Sequence, residues 1–206
     1  KKPLVAEVKK EEVKDKVVSA DEVKRQQLEK AAQAYADKDY KTAYKIFREH
    51  ANSDSIASFL IGYMYESGLG VEKNPEEAFF WYKTSADLGN IKAKTSIATL
   101  YLNGLGTAVN VDEGIKLLIE AADAGDMQAQ AVLGYFNYQA KNYQAAGYWL
   151  LAAAKQGNGE SACYLSKMLR EGFDDIKDVK AADELVALAE KDSSIKCEEI
   201  FKKLGN

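Results

Sequence analysis

Residues 55–90 read SIASFLIGYMYESGLGVEKNPEEAFFWYKTSADLGN: a helical stretch, a glycine-bearing loop, a second helical stretch and a stop. The chain then repeats it. Ala57, Tyr65, Gly68, Gly70, Asn74, Glu77, Ala86 and Gly89 return as Ala93, Tyr101, Gly104, Gly106, Asn110, Glu113, Ala122 and Gly125, each pair 36 residues apart, as in 93 − 57. Self-similarity at a fixed period of this size marks stacked helical pairs, since one pair cannot bury its apolar face alone. The array predicts a binding scaffold and leaves the partner open.

The second helix of this unit can be aligned along most of the chain. Asp39, Asn74, Asn110, Asn142 and Asp178 each stand at a predicted N-cap, where a short side-chain acceptor satisfies an orphan backbone N–H. Pro75 follows Asn74 at the first helical position, where its missing N–H costs nothing. Four residues after each cap comes a small residue: Ala43, Ala78, Gly114, Ala146 and Ala182. Three further on comes a large apolar one: Ile46, Trp81, Leu117, Trp149 and Leu185. Small beside large at fixed offsets lets a helix approach its neighbour and fill the gap beyond. The first helices show the same logic in Ile61-Gly62, Ile97-Ala98, Leu133-Gly134 and Leu165-Ser166, and the small residue predicts where the two helices of a pair cross.

Working outward, the loops SGLGVEKN and NGLGTAVN join the helices of the first two clear repeats, their glycines ending the first helix with positive φ. No Gly-Lys-Ser/Thr follows, so a phosphate cradle is not indicated. The third clear repeat has only Gln139-Ala140-Lys141 before its cap and is four residues shorter. The fourth keeps Gly172 and Ala182. Upstream, Ser19-Ala20-Asp21-Glu22 matches a capping box, followed by an apolar stripe of Val23, Leu28, Ala31, Ala32 and Tyr35. After Asp37-Lys38-Asp39, Ala43, Ile46 and Phe47 mark the second helix of a diverged first repeat. A last short helix from Ile195 to Leu204, with Glu198, Glu199, Lys202 and Lys203 on its polar side, reads as the cap that a solenoid end requires. The repeats are thus read as 19–54, 55–90, 91–126, 127–158 and 159–192, with a cap over 193–206, all in one solenoid. Residues 1–18, KKPLVAEVKKEEVKDKVV, alternate charged blocks with isolated valines and read as a solvated tether of low order.

Composition narrows the function. A net charge of −4 carries no basic footprint for nucleic acid, and no apolar run approaches the ~20 residues of a membrane span. The chain opens on Lys1, which reads as a start that was trimmed or a leader that was removed. The single histidine, His50, falls at a helix end and supplies no histidine cluster or triad. Asp174, Asp175 and Asp178 lack the spacing of a calcium hand, and Glu76-Glu77 suit a helix N-terminus. No enzyme, metal or cofactor is expected. Cys163 and Cys197, 34 residues apart on successive first-type helices, are too few for a metal. A disulfide needs Cα atoms within ~7 Å while neighbouring helix axes lie ~8–10 Å apart, which leaves a bridge open.

Ala57, Gly62, Tyr65, Gly68, Gly70, Val71, Ala78, Trp81, Ala86 and Gly89 together resemble the Sel-one-like repeat (SLR) family, related to the tetratricopeptide repeats. The resemblance covers 55–126 with great specificity, 127–158 well, and 31–51 and 159–204 more weakly. It implies an all-α, right-handed α/α superhelix of about five helix pairs plus a C-terminal capping helix. It further implies an adaptor that binds a protein or peptide, often in a bacterial periplasm or cell envelope, with the cytoplasm as an alternative. The other function it implies is a dedicated inhibitor or immunity protein neutralising a secreted toxin or enzyme.

In tetratricopeptide arrays the first helices line the concave face, which places Ile56, Phe59, Tyr63 and Glu66 inward. Their counterparts are Lys92, Thr95, Thr99 and Leu102, then Gln128, Ala131, Tyr135 and Tyr138, then Glu160, Cys163, Lys167 and Arg170. Phe59 reads as core. Tyr63, Glu66, Thr95, Thr99, Tyr135, Tyr138, Lys167 and Arg170 are the candidate contact residues of a monomeric scaffold.

Overall fold

The computed structural model describes residues 19–173, 177–191 and 194–204, with side chains described as far as residue 202. The expected tether over 1–18 and the Asp174-Asp175 pair lie outside the described residues. Among the described residues are eleven α-helices. They are α1 (Ala20–Ala36), α2 (Tyr40–His50), α3 (Ser55–Ser67), α4 (Pro75–Asp87), α5 (Ile91–Asn103) and α6 (Val111–Asp123). Then come α7 (Met127–Gln139), α8 (Tyr143–Lys155), α9 (Gly159–Glu171), α10 (Val179–Ala189) and α11 (Cys197–Leu204). Consecutive helices pack as pairs, each pair packs on the next, and α11 closes against α9. The result is an α/α solenoid of five pairs and a C-terminal helix.

Capping explains where the helices begin. The side chains of Asp39, Asn74, Asn110 and Asp178 accept from the backbone N–H groups of Thr42, Glu77, Glu113 and Ala181 at 2.9–3.2 Å. Asn142 departs from the expected pattern. It holds the N-cap position of α8 but caps nothing, because its amide turns back to donate to Asn137 Oδ1 at 3.1 Å. A second series of caps, Asp54, Asn90, Asp126 and Asn158, starts the first helices α3, α5, α7 and α9. The sequence reading did not single these out. Ser19 accepts from Glu22 N–H at 3.2 Å, as a capping box requires.

Close approach is where the small residues matter. A Cβ on Gly62 of α3 would stand 2.8 Å from the Tyr82 ring of α4, and one on Gly134 of α7 2.7 Å from Leu150 of α8. The helices of a pair therefore cross at the predicted small positions. Ala43, Ala78, Gly114, Ala146 and Ala182 are all buried. Of the large partners, Trp81 is only 2% exposed, whereas Ile46, Leu117, Trp149 and Leu185 are half-buried. The core runs along the array as linked clusters. Trp81 packs back toward Phe47 and Ala51 of the first pair, and its neighbour Tyr82 clusters forward with Ile97 and Leu100 of α5.

Three expectations need correction. Within the α1 stripe only Ala31 is buried; Leu28 and Tyr35 are half-buried, and Val23 and Ala32 are exposed, because among the described residues α1 packs chiefly on α2. The last helix begins at Cys197, and Ile195 precedes it, packed on the cluster of Ala154, Ala162 and Ala189. Cys163 and Cys197, which the spacing left open, are bridged, with Cα atoms 5.2 Å apart. Cys163 therefore faces α11 and is fully buried rather than lying on the inner face.

Candidate partner-binding face

Among the first helices, α5 lies against α7 and α7 against α9, while no two second helices come as close. This closeness on one side is the arrangement expected if the first helices line an inner face.

On the N-terminal half, Ile56 and Tyr63 of α3 are exposed. Tyr63 is close enough to act electrostatically on Tyr35 and Tyr82, both of whose phenols are pushed up by burial first. Glu66, half-buried, accepts from the Tyr82 hydroxyl. Phe59 is half-buried with its ring 5.3 Å from that of Tyr82, matching its reading as core. Thr95 is nearly buried, and its hydroxyl donates to Asp126 Oδ1 at 2.8 Å. The same oxygen accepts from Ala129 N–H at 2.8 Å, so Thr95 ties α5 to the cap of α7. Thr99 donates back to the Thr95 carbonyl at 3.0 Å, and Leu102 is half-buried.

The C-terminal half carries an aromatic terrace. Tyr135 of α7 is exposed, Tyr138 half-buried, and both meet Tyr164 of α9 edge-on at 5.3 and 5.5 Å between centroids. Tyr138 continues to Tyr143 and Phe173 at 6.0 and 6.1 Å. Burial pushes the Tyr164 phenol up to about 12, with Tyr135, Glu160 and Tyr138 adding to it, so it stays protonated and can donate. Tyr164 was missed by the sequence reading. The inward phase assigned to α9 passed through Cys163, one residue away, and the bridge to α11 turns that residue aside. Lys167 Nζ, largely covered, pairs with Glu171 at 3.3 Å. Arg170 Nη2 pairs with Asp183 Oδ1 on α10, so its guanidinium reaches toward the second helix of its own pair.

Two cavities follow the inner face. One of about 660 Å³ between α5 and α7 is lined by Phe59, Lys92, Thr95, Ser96, Asp126 and Gln128, among others. The other, about 240 Å³ between α7 and α9, is lined by Ala131, Tyr135, Glu160 and Tyr164, and it shares Gln128. The two meet at Gln128, and Tyr135 and Tyr164 of the terrace line the second. Among the described residues no helix is long and apolar enough to cross a membrane, and no group of three or more His, Cys, Asp or Glu side chains could hold a metal ion.

Stacked helix pairs with a groove along the first helices define a tetratricopeptide-like repeat solenoid. The Sel1 repeat family matches residues 55–90, 92–126 and 128–158, and the chain belongs to that family. A Sel1 repeat protein from Oxalobacter formigenes superposes with a TM-score of 0.73 at 29% identity, over 80% of this chain and 69% of that one. The protective antigen c5321 of uropathogenic Escherichia coli, which displays an SLR fold, gives 0.68 at 25% identity, over 82% of this chain and 38% of that one. DAP3-binding cell death enhancer 1 of Rattus norvegicus is 44% identical over 50 residues, 24% of this chain. The matched stretch spans only 10% of that relative's length.

Proposed function

We propose that the protein is an interaction scaffold that captures an extended segment of a partner protein along the groove of its first helices. Sel1 repeat solenoids commonly serve protein interaction. The observation that carries the reading is the groove shared through Gln128 and closed by Tyr135 and Tyr164. Tyrosine offers apolar area with a polar tip, and an aromatic cluster beside a groove suits a partner's apolar side chains while its hydroxyls meet backbone groups. Tyr63, Glu66, Thr95, Thr99, Tyr138, Lys167 and Arg170 complete or support this face. The Cys163–Cys197 bridge favours an oxidising compartment, and with bacterial Sel1 relatives this supports a periplasmic or envelope location.

Tyr63→Ala combined with Tyr135→Ala tests the reading. Both rings are exposed, so the circular-dichroism melt should barely move, while capture of the partner recovered from source-cell envelopes should fall at least 30-fold, about 2 kcal/mol. Undiminished capture by the folded double variant would place the site off this face.

A further inference from the structure

The Gly-Leu-Gly loops that join the two helices of a pair sit on the start of the preceding second helix. A Cβ on Gly70 would stand 2.6 Å from the backbone of Tyr40, the first residue of α2, and one on Gly106 2.1 Å from the Pro75 carbonyl oxygen of α4. After Gly172, Phe173 reaches the start of α8 and stacks on Tyr143 at 4.0 Å between ring centroids. These loops also close over their own first helix. Leu69 and Leu105 donate to the carbonyls of Met64 and Leu100, and those two side chains are 0% and 1% exposed.

The short third repeat breaks the pattern. Only Ala140 and Lys141 separate α7 from the Asn142 cap, against the six residues 68–73 between α3 and Asn74. Nothing is left to seat on α6. Val111, at the position of Tyr40, Pro75 and Tyr143, is 45% exposed while those three are half-buried. Phe136, at the position of Met64 and Leu100, is also 45% exposed. Two apolar side chains that flank a loop elsewhere in the array flank none here. Val179, at the same position of α10, is exposed in the same way.

We propose that this vacant loop seat is a second docking site, independent of the inner groove. Its occupant is an extended segment of a partner protein that carries an apolar–Gly–apolar unit with charges of both signs behind it. Of the equivalent seats, the one at α2 states this chemistry in full, and the one at α4 repeats its Leu-Gly pair as Leu105-Gly106. Leu69 and Val71 flank the glycine that fits against backbone at α2, and Glu72-Lys73 follow. The vacant seat has charges to meet such a pair. Asp112 next to Val111 and Lys141 in the short turn are both exposed, and neither has an ion pair among the described residues. Glycine is required at the centre because a side chain there would strike the helix backbone.

The probe is the blocked octapeptide SGLGVEKN, titrated to millimolar concentration while the methyl resonances of Val111 and Ile115 are followed. Saturable shifts at both are expected. Both should vanish with a peptide bearing Leu in place of its second glycine, and the Ile115 shift should vanish in Val111→Asp, which leaves an acid in a helix first turn where it is well tolerated. Replacing Ala140-Lys141 by the hexapeptide GLGVEK of residues 68–73 should fill the seat in cis, raise the melting temperature and abolish the shifts. Absence of shifts in the wild-type chain overturns the proposal, as do shifts that survive the graft. A concentration-dependent dimer dispersed by Val111→Asp would make the occupant a second copy of this chain and would equally overturn it.

Discussion

Trp81 shows how much of this array rests on single side chains. It is 2% exposed, its indole Nε1 donates to Glu77 Oε2 at 3.1 Å, and the Arg48 guanidinium lies 4.5 Å above its ring. The ring thus joins the first helix pair to the second through packing and a cation–π contact, while the hydrogen bond fixes the indole on its own helix α4. Trp81→Ala should lower unfolding stability by about 3–5 kcal/mol, read as a reduced denaturation midpoint at unchanged slope. An unshifted midpoint would mean that the surrounding clusters collapse to refill the site. The offset from the Asn74 cap was enough to pick this residue out. The same offset at Ile46, Leu117, Trp149 and Leu185 also marked core, yet those side chains remain half-buried. Their depth depends on neighbours two helices away, which no local pattern reports.

At the scale of the element, the C-terminal helix is the clearest case. α11 lays Ile200 and Phe201 against Ala154, Ala162 and Ala189 and turns Glu198, Glu199 and Lys202 to solvent. Its packing is chiefly on α9, through the Cys163–Cys197 bridge. A bridge across 34 residues contributes about 2–5 kcal/mol against detachment. Reduction should therefore free α11 before the rest of the array melts. Hydrogen exchange should rise over 197–204 while α3 to α6 stay protected, and deletion of 195–206 should lower the melting temperature and promote aggregation. Equal protection of α11 with and without reductant would show that its apolar face alone holds it. Residue types and end-of-array logic made this helix legible as a cap. The bridge was not legible, because its closure depends on the angle at which α11 returns to α9.

For the whole molecule, a repeat array predicts additivity. Trp81 belongs to the cluster of the first two pairs, Leu150 to the cluster around Leu165 and Met168. No residue is common to the two clusters. Trp81→Ala and Leu150→Ala should therefore add within about 0.5 kcal/mol in unfolding free energy. A larger coupling would mean that the array behaves as one block.

The sequence by itself determined the repeat, its 36-residue period, the second-helix caps at Asp39, Asn74, Asn110 and Asp178, and the crossing points at Gly62 and Gly134. Each of these depends on atoms within a few residues or on a spacing repeated along the chain. The tertiary structure alone decided that Cys163 faces α11, that Tyr164 joins Tyr135 and Tyr138, and that Val111 and Phe136 stand uncovered. All three depend on where one helix pair lies against the next. The four-residue shortening before Asn142 was visible as a length, but the surface it uncovers exists only once neighbouring pairs are stacked.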